Sequence, residues 1–594
     1  MAPGTDTIIQ KAAEQRNLLA LFAALPLLRD IGDAHLREIT EEIEWFSLPG
    51  GATLFTAGQP ADGLYVVING ALAAYAAIPA GGSQRIGSIV PGETVGEMEL
   101  ISGKQRTTTV VAVRDTELAR LPGATFERLV VRSPESMRHV AKVLAQRLES
   151  LQAPGAPVQA MPHTFAVVPH DGNVDAPEFA SWLVKSLSRV GRTELVLSSR
   201  ANEQTTHWFH RIERANQFVV YLTDSRPTNW TNLCLRQAQA QVVVVGRDSR
   251  FGPCSALQYS RDPSAPGKKA ELVLFRVGPK TDHVTRRWLD IYPQRRHHHV
   301  DNNEDASRVA RLLTGRGVGV VLSGGGARGF AHIGVMKALR DARIPVDSIG
   351  GTSIGAIIAA GWAAGWDCAE LSKRIRRSFV DTNPLNDYTL PLVSLVAGRK
   401  VGNLLRREFG DMDIEDLRLP FYCVSANLTS GQIAVHRRGN VWFWLRASIA
   451  IPGVLPPVFT NHQVHVDGAT INNLPVDVMH EQMRGFVIAV DVGADRSFET
   501  DLEITEVPAL WKIPKWLLGQ RSKINIMQIL WRAGMINSTA TTVGQRELTD
   551  LLLKPPLERV DMLDWQAFDR AVDIGYRYTV RALEQHQERL AAIT

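Results

Sequence analysis

The chain is poor in cysteine, in long apolar runs and in net charge, and each shortage removes a class of function. Its four cysteines, Cys234, Cys254, Cys368 and Cys423, lie far apart with no Cys-X-X-Cys pair. A disulfide framework, a zinc site and redox chemistry are therefore not expected. No apolar run reaches the roughly 20 residues of a spanning helix; Leu18 to Leu28 is too short and contains Pro26. That run follows a polar, mixed-charge opening without a clear cleavage site, so no signal peptide is expected. A net charge of +5 on 594 residues is too small to argue for nucleic acid. What is present, 45% hydrophobic and 21% charged residues, is the composition of a folded protein. The expectation is a cytoplasmic protein.

The length suggests three or four units at roughly 150 residues per domain. From about residue 20 to 150 a helical start gives way to short alternating strands such as Leu64 to Ile68 and Ala71 to Tyr75. Gly58, Gly63, Gly70, Gly92 and Gly96 punctuate them, the rhythm of a small β-roll. A helical run from Pro134 to Leu151 and a Pro/Ala/Gly-rich linker, Ala153 to Pro162, close that unit. Between 163 and 300, apolar runs at Phe165–Val168, Glu194–Leu197, Phe218–Leu222, Gln241–Val245 and Glu271–Phe275 alternate with helical segments, which predicts a parallel α/β layer. Three adjacent histidines, His297 to His299, cannot converge on one ion without strain, and no metal is expected there or elsewhere. A third α/β unit spans 317 to 492, and 493 to 594 reads as a mostly helical extension with a late strand at Leu551–Leu553.

The chemistry concentrates in the third unit. The strand Val318–Ser323 runs into Gly324, Gly325, Gly326, Ala327, Arg328 and Gly329, then into a helix. Consecutive glycines at a helix start let backbone N–H groups line a concavity for an anion or oxyanion. The same spacing fits a dinucleotide fingerprint, but Asp347 precedes the next strand instead of ending it, which misplaces it for a ribose. The strand Ser348–Gly350 then leads into Gly351, Thr352, Ser353, Ile354 and Gly355, the Gly-X-Ser-X-Gly form of a nucleophile elbow. Gly329 and Ser353 are 24 positions apart, about one helix and one strand, which brings both loops to the same end of adjacent parallel strands. A base is still needed. Asp467, followed by Gly468 and Ala469, sits in an Asp-Gly turn; His465 shares its strand face and competes, and His480 is the late histidine of an α/β-hydrolase order.

The Gly-rich loop, the Gly-Thr-Ser-Ile-Gly elbow and the Asp-Gly-Ala motif, in this order, resemble the patatin-like phospholipase family, as does the stretch Ala447–Val458. The resemblance implies a Ser353/Asp467 dyad without histidine. It also implies oxyanion N–H groups from Gly325, Gly326 and Ala327, and Arg328 beside a substrate phosphate. The whole layout is similar to the neuropathy target esterase branch, which joins cyclic-nucleotide-binding-like domains to a patatin domain. That implies hydrolysis of lysophospholipid or phospholipid acyl esters with no cofactor required. Eukaryotic members carry a membrane helix and several such regulatory domains, whereas one domain and no such helix are expected here. The rival of another class is a catalytically inert, cyclic-nucleotide-responsive scaffolding protein.

Val95 to Val110 resembles the phosphate-binding cassette of cyclic-nucleotide domains. There Glu97 would accept from the ribose 2′-OH, Arg106 would pair with the cyclic phosphate of cAMP or cGMP, Thr107 would add a hydroxyl, and Gly96 completes the candidate set. Two residues depart from the pattern, Glu99 where a small residue is usual and Gln105 for proline; a carboxylate near a phosphate is repulsive. Finally, Trp511 to Arg532 interleaves Lys512, Lys515, Arg521, Lys523 and Arg532 with Trp511, Trp516 and Trp531 and has no acid. It reads equally as an interfacial segment on anionic lipid, at the inner face of the membrane, or as a buried helix with a basic rim.

Overall fold

A computed structural model describes residues 42–77, 83–132, 161–200, 206–258, 269–278, 283–293, 296–390, 392–493, 538, 541–591 and 593. The helical start near residue 20, the run Pro134–Leu151, most of the linker and the Trp511–Arg532 segment lie outside the described residues. The chain forms two compact units, one reaching Phe275 with Gln294–Arg296 added, the other holding Arg276–Pro293 and everything from His297.

The first unit opens with a β-roll of two four-stranded sheets. In spatial order one is Glu44–Leu48, Thr116–Pro122, Gly63–Asn69 and Thr94–Val95; the other is Thr53–Phe55, Thr109–Ala112, Leu72–Ala77 and Ser83–Ile89. Tyr65 and Val67, two apart and so on one strand face, pack with Phe55, Leu72, Val110 and Leu118. Gly70 turns at a φ of +96°, where a Cβ would sit 2.5 Å from the Thr116 hydroxyl, so the roll needs glycine there.

All five apolar runs of the middle segment are strands, in the order Thr193–Val196, Phe218–Leu222, Thr164–Pro169, Ala240–Gly246, Lys269–Phe275, and they pair in parallel. Residues on both faces of Thr164–Pro169 are buried, which explains a continuous rather than alternating apolar pattern. Roll and layer meet inside this unit. Arg114 bonds Glu213, which also accepts from the Tyr221 hydroxyl at 2.7 Å; Asp115 accepts from the Gly50 N–H at 2.8 Å and pairs with Arg236 at 3.2 Å.

The second unit is built on a mixed eight-stranded sheet. Its order is Val458–Thr460, Gln463–Asp467, Phe421–Asn427, Ser348–Gly351, Gly317–Leu322, Gly485–Val490 and Leu551–Leu553, with Gln432–His436 paired to Phe421–Asn427. Leu551–Leu553 is the late strand foreseen, parallel to Gly485–Val490. The tail is not a separate extension. Its helix Phe568–Gln585 crosses the helix Ala331–Asp341 so closely that a Cβ on Gly334 would lie 2.0 Å from the Val572 carbonyl oxygen, and one on Gly575 2.2 Å from that of Ala331. Small residues at both crossing points let the backbones touch, and the tail thereby completes the core.

Candidate active site

Sheet register decides which side chains can meet. Leu322 lies level with Gly351 across the parallel pair, so the Gly-rich loop and the elbow leave the sheet at the same end. Gly351 is in turn level with Cys423; two residues further along each strand stand Ser353 and Ser425, and Ser425 faces Asp467 across the antiparallel pair. Asp467 is thus delivered to the height of Ser353 from a strand running the opposite way.

At the elbow Ser353 takes φ 55° and ψ −126°, a strained conformation outside the ordinary regions for a residue with a side chain. The strain is tolerable because Gly351 and Gly355 flank it: a Cβ on either would lie 2.4 Å from the Leu322 carbonyl oxygen. The Ser353 N–H is held by the Ser448 hydroxyl at 3.0 Å. Its Oγ then donates to Asp467 Oδ2 at 2.8 Å, while Asp467 Oδ1 accepts from the Ala469 N–H at 2.9 Å. Gly468 permits this turn, since a Cβ there would meet the Val424 carbonyl oxygen at 2.5 Å. Burial pushes the Asp467 carboxyl up from its ordinary 3.8 to about 7, against the opposing hydrogen bonds from Ala469 and Ser353. Among the described residues no cation pairs with it.

The Gly-rich loop lies against the nucleophile: a Cβ on Gly324 would be 3.1 Å from that of Ser353. The donors expected from it are only partly free. The Ala327 N–H donates to the Met562 carbonyl at 2.8 Å and the Gly324 N–H to Asn473 Oδ1 at 3.0 Å, so neither is open to an oxyanion. Gly325 and Gly326 N–H have no acceptor among the described residues, and the expected set narrows to these two. Gly326 holds φ +58° with the Met562 carbonyl 2.3 Å from where a Cβ would stand, and Gly329 packs on Ile354. Arg328 Nε donates to the Val560 carbonyl at 2.7 Å, fastening the tail to the loop.

The sequence reading missed the supports. Asn473 brackets Gly324, also donating to its carbonyl at 3.4 Å; the Ser323 carbonyl contacts His332 Nε2 at 2.8 Å; Met562 and Val560 come from more than 200 residues away. Burial lowers the His332 imidazole to about 4, so it is a neutral structural donor. Asn-Asn after Asp-Gly-Ala-Thr-Ile was the only local signal for Asn473.

The competing bases stand elsewhere. His465 Nδ1 and His436 Nε2 share the Ser425 hydroxyl at 2.9 and 2.7 Å, and His480 Nε2 contacts the Leu548 carbonyl. Asp347 is buried at the far end of the strands, bonded to Arg311 at 2.6 Å and to the Val318 N–H, which removes the dinucleotide reading. His297 and His299 both reach the Glu415 carbonyl at 2.9 Å. The one metal-like group among the described residues, His283, Asp413 and Asp416, has Asp413 already paired to Arg286 at 2.8 Å.

In the roll, Gly96 turns at φ 95° and Glu97 is fully buried at the start of the helix Glu97–Ser102. Arg106 is also buried, donating to the carbonyls of Gly96 at 2.9 Å and Gly63 at 2.8 Å and to Asp62 at 2.9 Å, with the Phe55 ring 4.2 Å away. Glu99 stands 3.6 Å from the same guanidinium and accepts from the Thr107 N–H at 3.2 Å and hydroxyl at 2.6 Å. The residues expected to meet a cyclic phosphate are brought together, around a carboxylate of the protein's own.

Comparison with known proteins agrees with this layout. The Patatin-like phospholipase family model matches residues 320–480, the Cyclic nucleotide-binding domain model 45–133, and the Neuropathy Target Esterase family P-loop like domain model 162–314. Neuropathy target esterase sws of Drosophila melanogaster is 30% identical over 91% of this chain and 42% of its own length. Patatin-like phospholipase domain-containing protein 6 of Homo sapiens is 30% identical over 91% of this chain and 44% of its own. The chain thus spans less than half the length of these relatives. Three matches in this order, with the motifs intact, make the chain a member of the patatin-like phospholipase family, in its neuropathy target esterase branch.

Proposed function

We propose that this chain hydrolyses the acyl esters of lysophospholipids and phospholipids through a Ser353/Asp467 dyad. The observation that carries the reading is the 2.8 Å hydrogen bond from Ser353 Oγ to a buried carboxylate whose pKa is raised to about 7. Such a carboxylate is basic enough to take the serine proton at neutral pH.

Asp467 Oδ2 accepts the proton as Oγ attacks the ester carbonyl. The oxyanion forms beside the Gly325 and Gly326 N–H groups and the N-terminus of the helix Ile354–Ala363, where positive partial charge is fixed in advance. Collapse of the tetrahedral species breaks the ester bond, and the Asp467 proton passes to the leaving alkoxide. Water then gives a proton to Asp467 and attacks the acyl-serine, releasing the fatty acid and restoring both groups. No metal or cofactor enters the cycle. Access to such substrates fits a peripheral position at the cytoplasmic face of a membrane, which cell fractionation tests.

Fatty-acid release from lysophosphatidylcholine is the decisive assay, with diacyl phospholipid and triacylglycerol alongside to rank substrates. Ser353→Ala and Asp467→Asn should each lower turnover by about 10³-fold or more. Undiminished release by either variant sinks the dyad. A silent wild type returns weight to the scaffolding alternative.

A further inference from the structure

Among the described residues, no other six-residue span exposes as many large apolar side chains as 388–393. Tyr388 is 72% exposed, Leu390 73%, Leu392 84% and Val393 60%. They lie on a hairpin whose described residues, 387–390 and 392–397, are tied together by backbone hydrogen bonds. The Ala397 N–H donates to the Asp387 carbonyl at 2.8 Å, the Thr389 N–H to the Leu395 carbonyl at 3.1 Å, Tyr388 and Val396 form an antiparallel bridge, and the Ser394 hydroxyl caps the Val396 carbonyl at 2.7 Å. Hydrogen-bonded arms with apolar side chains held outward are the opposite of a loop collapsing onto its own core, and such a patch marks an interaction surface.

Charge identifies the partner. From Tyr388 to Arg407 the chain carries Arg399, Lys400, Arg406 and Arg407, and the acids at its two ends are engaged, Asp387 accepting from the Lys400 N–H at 3.1 Å and Glu408 pairing with Arg377 at 2.6 Å and Arg407 at 3.0 Å. Arg399 and Lys400 are exposed in the first turn of the helix Arg399–Phe409, the end where the helix dipole disfavours cations. An apolar tip flanked by cations matches the acyl boundary and phosphates of an anionic bilayer.

The hairpin is also wired to the catalytic pair. The Leu395 and Val396 N–H groups donate to the carbonyls of Gly453 and Val454 at 2.9 and 3.0 Å. The same stretch, Ser448 to Val454, accepts from the Ser353 N–H through the Ser448 hydroxyl and from the Asp467 N–H through the Ala450 carbonyl at 2.9 Å.

We propose that the hairpin Asp387–Ala397 is a lipid-docking tip: Tyr388, Leu390, Leu392 and Val393 enter the headgroup layer of an anionic phospholipid bilayer while Arg399 and Lys400 face its phosphates. The role in catalysis rests on the lipid-ester reading above; the docking itself does not. Every variant below leaves the sequence from Trp511 to Arg532 unchanged.

The test uses the full chain, cosedimented with phosphatidylcholine vesicles with and without phosphatidylglycerol, beside turnover of a soluble short-chain ester. Leu390→Glu with Leu392→Glu should weaken vesicle binding on the order of a hundredfold, with soluble-ester turnover kept within about twofold. Arg399→Gln with Lys400→Gln should weaken binding to anionic vesicles roughly tenfold and to neutral vesicles little. Because all four native cysteines are buried, a polarity-sensitive dye on Leu392→Cys reports the tip alone, and its emission should shift to the blue on anionic vesicles. That readout decides the matter even if the double glutamate variant folds poorly. Unchanged vesicle binding by a folded double variant, no binding by the wild type, or no dye shift overturns the proposal. A dye shift with neither the soluble ester nor lysophosphatidylcholine hydrolysed leaves docking standing and defeats the esterase reading instead.

Discussion

Two buried charged centres in this chain are treated in opposite ways. Asp467 receives two neutral hydrogen bonds, from Ala469 and Ser353, and no cation among the described residues, so its charge is under-compensated and its pKa climbs to about 7. Arg106 is at least as buried, yet Asp62, Glu99 and the carbonyls of Gly96 and Gly63 surround it. An electrostatic need left open can be used in a reaction; one met internally must be broken before a ligand can use it. Motif matching already separates the two sites at Glu99 and Gln105, and their surroundings show what the difference does.

The largest effect that could break this contrast is on stability. Below about pH 4 both the folded and the unfolded states hold the Asp467 proton and nothing is lost. As pH rises from 4 towards 7 the unfolded chain ionises while the folded chain keeps its proton, so stability falls. Above 7 the native state carries the full penalty, on the order of 4 kcal/mol for a rise from 3.8 to about 7. Asp467→Asn should therefore be inactive yet more stable than the wild type at pH 8, the gain shrinking towards pH 4 in denaturant titrations. In the wild type kcat/KM should rise about tenfold per pH unit below 7 and level off above it, as required of a base that must be ionised. A flat rate profile between pH 5 and 8, together with a destabilised Asp467→Asn, would place the carboxylate in an ordinary structural role.

The strands were legible wherever burial on both faces or a glycine-bounded turn left a period or a run, as at Phe165–Val168 and Leu64–Ile68. Ser353 and Asp467 were legible because an elbow and an Asp-Gly turn are local backbone chemistry. What could not be read were partners separated by long stretches of chain. Ala327 looks like a donor in any glycine-rich loop, and only the arrival of Met562 spends its N–H. His465 shares a strand face with Asp467 by period, and only its hydrogen bond to the Ser425 hydroxyl, which it shares with His436, takes it out of contention. Glu99 was read as repulsive to a phosphate, but that it is also bonded to Thr107 and faces Arg106 is something no spacing rule conveys.

A middle-sized effect sharpens the active side of the comparison. Asn473 holds Gly324 by both its N–H and its carbonyl, and Gly324 abuts Ser353. As a positioning residue it should act on kcat more than on KM: Asn473→Ala is expected to lower kcat by about 10- to 100-fold with KM changed little, because the Gly325 and Gly326 donors lose their aim at the oxyanion. Steady-state kinetics on a soluble ester reads the split, and an effect confined to KM would move Asn473 into substrate binding.

The smallest effect concerns the filled site. For cAMP to seat its phosphate on Arg106, Glu99 must release the Thr107 N–H and hydroxyl and withdraw its charge from the guanidinium. The wild type should accordingly give no heat with about 1 mM cAMP or cGMP in a calorimetric titration. Glu99→Ala removes the resident carboxylate and leaves Asp62 and the two carbonyls to hold Arg106 in place, so the fold should persist while affinity for cAMP rises at least about tenfold. Micromolar binding by the wild type would show that Glu99 swings aside readily, making it the movable part of a working sensor. Absence of binding in the variant as well would mean that the roll serves its contacts with the α/β layer through Arg114 and Asp115, and that the arginine is retained for the packing of Phe55 and Tyr65 around it.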